Sequence, residues 1–150
     1  MPRFILFIRA DEDSESGKMP PQEAIEAMTN FWKELVAANV LVYGDGMHAS
    51  SKSTRIIFPG NGATPQLRKG PFPVNELVAG FWILEVKDHD EALMWAKKCP
   101  VVNSPKGCTL ELRPFITMED AKDSFTDEMR KEYEKGRKVI DAKVGFKKSE

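Results

Sequence analysis

Apolar residues fall along this chain as short runs separated by one long stripe of helical period, and their order predicts the elements. Residues 3 to 9, Arg-Phe-Ile-Leu-Phe-Ile-Arg, read as a first strand. The polar stretch Asp11 to Lys18 is a loop, and Pro20-Pro21 suit the lead-in to a helix. From Gln22 to Ala38, apolar side chains recur at Ile25, Met28, Phe31 or Trp32, Leu35 and Val36, close to the 3.6 period of an amphipathic helix. Asn39 can take the left-handed conformation that ends it. Val40 to Tyr43 is a second strand running into the Gly44-Asp45-Gly46 bend. Thr54 to Phe58 is a third, closed by the turn cluster Pro59-Gly60-Asn61-Gly62.

A rigid loop follows. Gly70 tolerates backbone shapes that other residues resist, and Pro71 fixes the next dihedral. After Gly70-Pro71-Phe72 come Glu76, the small residues Ala79-Gly80, and an apolar strand over residues 80 to 87. Asp88-His89-Asp90-Glu91 has the spacing of a capping box and opens a helix from Asp90 to Lys98, which stops before Pro100. Thr109 to Phe115 is the last strand. Thr117 and Asp120 have the spacing of a capped turn. Thr126-Asp127-Glu128 begin a longer helix that is acidic first and basic later, as the helix dipole prefers, and Lys143 to Glu150 form a polar tail.

The order βαββ-loop-βαβ predicts an α+β, ferredoxin-like unit with both helices on one face of a mostly antiparallel sheet. The other face then needs a cover, and a second copy of the chain supplies it in a symmetric homodimer. Residues 1–116 form this domain, and residues 117–150 a C-terminal helical extension.

Composition narrows the function classes. The chain has 150 residues, 41% hydrophobic and 30% charged, which suits one globular domain with a real core. Its 22 basic and 23 acidic residues argue against nucleic-acid binding by phosphate neutralisation. No apolar run approaches the ~20 residues of a membrane span, and the charged residues from Arg9 to Asp13 exclude a signal h-region. The expected location is therefore the cytoplasm. Cys99 and Cys108 read as two reduced thiols, with a bridge across the Pro100–Gly107 loop as the alternative. With two histidines and these thiols, no metal-ligand spacing emerges.

The candidate chemistry sits in a few places. His48 follows the Gly-Asp-Gly bend and could act as base or acid, oriented by Asp45; the competing reading is a surface-loop histidine. Glu111 and Arg113 alternate on one strand face, either to grip an anionic or carbonyl ligand or to form a structural ion pair. Arg55 has the same two readings. Glu76 either holds its loop or does acid-base work. Phe72, Phe81, Trp32, Trp82 and Trp95 are either core or the wall of an aromatic pocket. Gly44-x-Gly46 lacks the third glycine and the following helix of a dinucleotide site.

Several of these stretches together resemble the YCII-related, or DGPF, proteins. They are Gly70-Pro71-Phe72 with Asn75-Glu76 and Gly80, Asp90-Glu91-Ala92 with Trp95-Ala96, Cys99-Pro100, and Glu111-Leu112-Arg113-Pro114. Upstream, the likeness extends from Lys33-Glu34-Leu35 to Gly44-Asp45-Gly46-Met47. The resemblance implies a dimeric α+β barrel, two ferredoxin-like units packed sheet to sheet. It implies much less about activity, since related dimeric-barrel proteins include small lyases, isomerases and oxygenases that work without a cofactor. The expected function is small-molecule binding, with a cofactor-independent lyase or isomerase acting on a small carboxylate or carbonyl compound as its catalytic form. The alternatives are a non-catalytic ligand-binding or regulatory protein, as in branches linked to sigma factors, or a purely structural dimer module. The implied partners are a small organic molecule and a second copy, with no cofactor, nucleic acid or membrane. Lys69 stands where the motif has its leading Asp. Met28 stands where some relatives carry a catalytic His, so that His-Asp mechanism does not transfer.

Overall fold

The computed structural model describes residues 1–103 and 106–143. Four strands form one antiparallel sheet in the order β2-β5-β1-β6: β1 (Arg3–Arg9), β2 (Leu41–Gly46), β5 (Val78–Glu85) and β6 (Leu110–Pro114). Helix α2 (Gln22–Ala37) joins β1 to β2, and α3 (His89–Lys97) joins β5 to β6. The result is an α+β fold in which the first and third sheet strands lie at the centre.

Alternation along the central strands gives the sheet two unlike faces. Phe4, Leu6, Trp82 and Leu84 point to one side and meet Phe31 and Leu35 of α2 and Ala92, Trp95 and Ala96 of α3. This is the core, and Leu6, Leu35 and Leu84 are wholly excluded from water. Two rows cross the other face in register. One runs Tyr43, Ile83, Ile5, Arg113; the next runs Asp45, Phe81, Phe7, Glu111. Each row is apolar in the middle and polar at an end, and its central side chains are only half-buried.

The third expected strand is corrected. β3 (Thr54–Ile57) lies outside the main sheet and pairs only with β4 (Gln66–Lys69), which the hydrophobic pattern did not indicate. Gln66-Leu67-Arg68-Lys69 carries one apolar side chain, so its pairing rests on backbone hydrogen bonds that leave no trace in polarity. The Pro59–Gly62 cluster closes this hairpin, with Ala63 N–H bonded to Gly60 C=O at 3.0 Å.

The helix stripe is narrower than its period suggested. Phe31 and Leu35 are buried, while Ile25, Trp32 and Val36 stand 44%, 46% and 47% exposed. Trp32 therefore belongs to neither core nor pocket, whereas Trp82 and Trp95 are core. The polar loop after β1 contains a one-turn helix, α1 (Glu12–Glu15). Asn39 ends α2 at φ 57°, and Asp88 caps α3 through the Glu91 N–H at 2.9 Å. Thr117 and Asp120 cap each other, with Thr117 N–H donating to the Asp120 carboxylate at 2.8 Å. The Thr117 hydroxyl, which donates to the same carboxylate at 2.7 Å, and then this N–H hold the Asp120 carboxyl below its ordinary pKa. The C-terminal helix α4 spans Asp127–Lys143. The expected polar tail, beyond its first residue, lies outside the described residues. No helix among the described residues is long and apolar enough to cross a membrane.

Candidate functional site

Strands β1 and β2 end, and β5 and β6 begin, at one end of the sheet. Their connections therefore meet there. The capping box of α1 shapes the first of them: Ser14 N–H donates to Asp11 Oδ1 at 2.8 Å, and Asp11 N–H donates to Ser14 Oγ at 2.9 Å. The Ser14 backbone bond, the largest influence, draws the Asp11 carboxyl below its ordinary pKa. This turn sets Glu15 against Ser50, the first residue of a short 3-10 turn after β2.

Ser50 is 4% exposed and joins three segments. Its N–H donates to both oxygens of Glu15 at 3.0 Å, and its hydroxyl donates to the same carboxylate. Ser50 Oγ also accepts the Phe72 N–H at 3.0 Å. Gly70 lies directly over this turn, its N–H bonded to Ser53 C=O at 3.0 Å, and the Gly70–Pro71 peptide is cis. The Gly-Pro-Phe loop is thus fastened to the β2–β3 connection through backbone and a buried serine.

Phe72 presents its ring to Arg55, whose guanidinium carbon sits 4.0 Å from the ring centre. Arg55 Nη1 donates to Glu76 Oε2 at 2.6 Å. Glu76 in turn donates its N–H to Pro73 C=O at 3.0 Å. Arg9, at the end of β1, donates to the Asn75 carbonyl. Arg55 and Glu76 remain 37% and 49% open to solvent, so a stacked cation and a carboxylate are available together on a rigid support.

Three of the expected binding residues, Arg55, Phe72 and Glu76, therefore converge. No hydrogen bond, ion pair or ring contact seen among the described residues ties the others to them within one chain. His48 is exposed on the segment between β2 and Ser50. Asp45 accepts the Gly46 N–H at 2.9 Å and the Tyr43 hydroxyl at 3.3 Å, and no hydrogen bond among the described residues links it to His48. Glu111 and Arg113 lie on β6, the opposite edge strand from β2, with Arg113 Nε 3.7 Å from Glu111 Oε1. Three strand spacings, about 14 Å, separate those edges. Arg113 and Glu111 are 66% and 45% exposed, on the same face as Ile5 and Phe7.

Glu15 and Ser50 were not singled out by sequence reasoning. Glu15 is one acid among several in a polar loop, and Ser50 is one of several neighbouring hydroxyls; only the fold distinguishes them. Replacing Ser50 with Ala should lower stability by about 1–3 kcal/mol, because Phe72 N–H loses its acceptor in a buried place and Glu15 loses a donor. A Glu15→Ala/Ser50→Ala double variant should lose less than the sum of the singles, as measured by denaturant unfolding; strict additivity would show that the two side chains do not act as one unit.

A cleft of about 1120 Å³ lies at the opposite end of the sheet, between α4 and the start of β1, and includes Phe115, Ile116, Met118 and Tyr133 in its lining. There Arg3 binds Glu85 at 2.7 Å and Asp141 at 3.1 Å. Burial works against its charge, but the two carboxylates prevail and raise its pKa. Cys99 is buried and Cys108 exposed; both are free, and desolvation pushes both thiols up, away from the nucleophilic thiolate. Among the described residues no group of three or more His, Cys, Asp and Glu side chains could hold a metal.

The model of the YCII-related domain matches residues 2–116, which include every residue of this site. No match was found among curated proteins.

Proposed function

The chain belongs to the YCII-related domain family, and on that premise we propose that it is a homodimer that binds a small organic carboxylate or carbonyl compound. Two copies pack sheet to sheet as a dimeric α+β barrel, and the ligand sits beside the Gly-Pro-Phe loop. The observation that carries the binding reading is the convergence of Arg55, Phe72 and Glu76 on a loop fixed by Ser50 and Gly70. A guanidinium fork over an aromatic face suits a planar carboxylate or enolate, and the buried serine spares the ligand the work of ordering the loop.

Acid-base chemistry of the lyase or isomerase kind is an extension of this reading. His48 would carry the proton from the neighbouring segment. Asp45, whose two oxygens accept one bond each from Gly46 and Tyr43, keeps acceptor sites with which to orient it. Arg113 would come into reach only from the partner, because it lies on the far edge of its own sheet.

A panel of small carboxylates and carbonyl compounds, read by thermal unfolding, tests the binding reading. A true ligand at about one hundred times its Kd adds about 2.7 kcal/mol. That stabilisation should vanish in an Arg55→Ala chain that still folds. Stabilisation that survives the substitution, or a panel that stabilises nothing, would overturn it.

A further inference from the structure

We infer that the β3–β4 hairpin of one protomer docks on residues 115–134 of its partner. The inference rests on the homodimer proposed above. An isolated two-stranded hairpin is marginal in water, yet this one projects from the main sheet with Ile56 58%, Phe58 74% and Leu67 72% exposed. Ile56 and Leu67 are directly paired, so their side chains form one apolar patch.

A second chain offers a matching surface. Phe115 and Ile116, 38% and 79% exposed, border the cleft beside α4, with Met118 and Tyr133 in the same wall. Charge agrees with shape. Residues 52–69 carry Lys52, Arg55, Arg68 and Lys69 and no acidic side chain; residues 117–134 carry seven acidic side chains against three basic ones. Arg55 is committed to Glu76, which leaves Arg68 and Lys69 as the cations nearest the apolar patch. Opposite charge of this kind steers association and fixes register.

The arm cannot serve its own chain. It leaves the sheet at Gly46 and returns at Val78, while the cleft lies beside Arg3 and Glu85 at the other end. A seven-residue strand separates the two ends by about 20 Å. A two-fold axis between the packed sheets, at right angles to the strands, carries each arm to its partner's cleft. The same operation covers the open sheet face, the hairpin patch and the cleft.

Paired cysteines test this in the full chain, with Cys108→Ser removing the exposed native thiol. Phe58→Cys/Ile116→Cys should oxidise to a covalent dimer, and neither single variant should do so. Arg68→Glu/Lys69→Glu should raise the dimer Kd at least tenfold, with unchanged circular dichroism showing that the chain still folds. A dimer that forms no cross-link and ignores the charge reversal would overturn the inference and leave the homodimer standing. Cross-linking of Phe58→Cys alone would place the arms against each other and also overturn it. A monomer throughout would instead remove the homodimer beneath it.

Discussion

A Gly70→Ala chain is expected to melt about 10 °C below the parent. A Cβ at this position would stand 1.8 Å from the Ser50 carbonyl oxygen and 2.7 Å from its carbon. Both atoms are backbone, so no rotamer relieves the clash. Gly70 also donates to Ser53, which ties the same turn from the other side. The added methyl must part the Gly-Pro-Phe loop from the β2–β3 connection, breaking the Phe72–Ser50 bond with it. Overpacking typically costs about 1–3 kcal/mol, and at rigid backbone the high end or beyond applies. About 3 kcal/mol corresponds to roughly 10 °C for a chain of this size. Gly136→Ala is the control: nothing lies within 4 Å of its added Cβ, and it sits inside α4, so it should gain up to about 1 kcal/mol. Calorimetry on both decides the matter. A Gly70→Ala chain melting with the parent would mean that the loop is not held by this contact.

The role of Gly70 was only partly legible in the sequence. Gly-Pro-Phe announced a rigid loop, but not that the glycine is required by contact with a distant serine. Periodicity located β1, α2, β5, α3 and β6 because each has a buried face that imposes a rhythm. It missed β4 because Gln66 to Lys69 bury nothing, and it overcounted the α2 stripe because Trp32 and Val36 are apolar yet exposed. Local capping was readable at Asp88 and Thr117, where donor and acceptor lie within three residues. The Ser50–Glu15 and Arg55–Glu76 contacts span 35 and 21 residues, and such pairings depend on topology that residue spacing does not encode.

A Phe7→Asp chain is expected to run as a monomer in light scattering, where the parent is expected to run as the proposed dimer. Phe7 lies on central strand β1, between Phe81 and Glu111 in register, with the Ile5 row beside it. Helices α2 and α3 cover the Phe4 and Leu6 side of this strand, while α4 reaches the Phe7 side at Arg3, through Asp141. In one chain the substitution meets water and leaves that core untouched. In the sheet-to-sheet dimer it puts a carboxylate among Phe81 and the partner's apolar rows, with Glu111 already beside it. An unpaired charge there should weaken association by about 3 kcal/mol or more, on the order of a hundredfold in Kd. The substitution therefore separates assembly from folding: near-parental far-ultraviolet dichroism should accompany the loss of mass. Trp32→Asp sharpens the result, because Trp32 is the largest exposed side chain on the outer stripe of α2. If the sheet face joins the protomers, Trp32→Asp stays dimeric and Phe7→Asp does not. The reverse pattern would assign the interface to α2 and leave the open sheet face, and with it the barrel, without a partner.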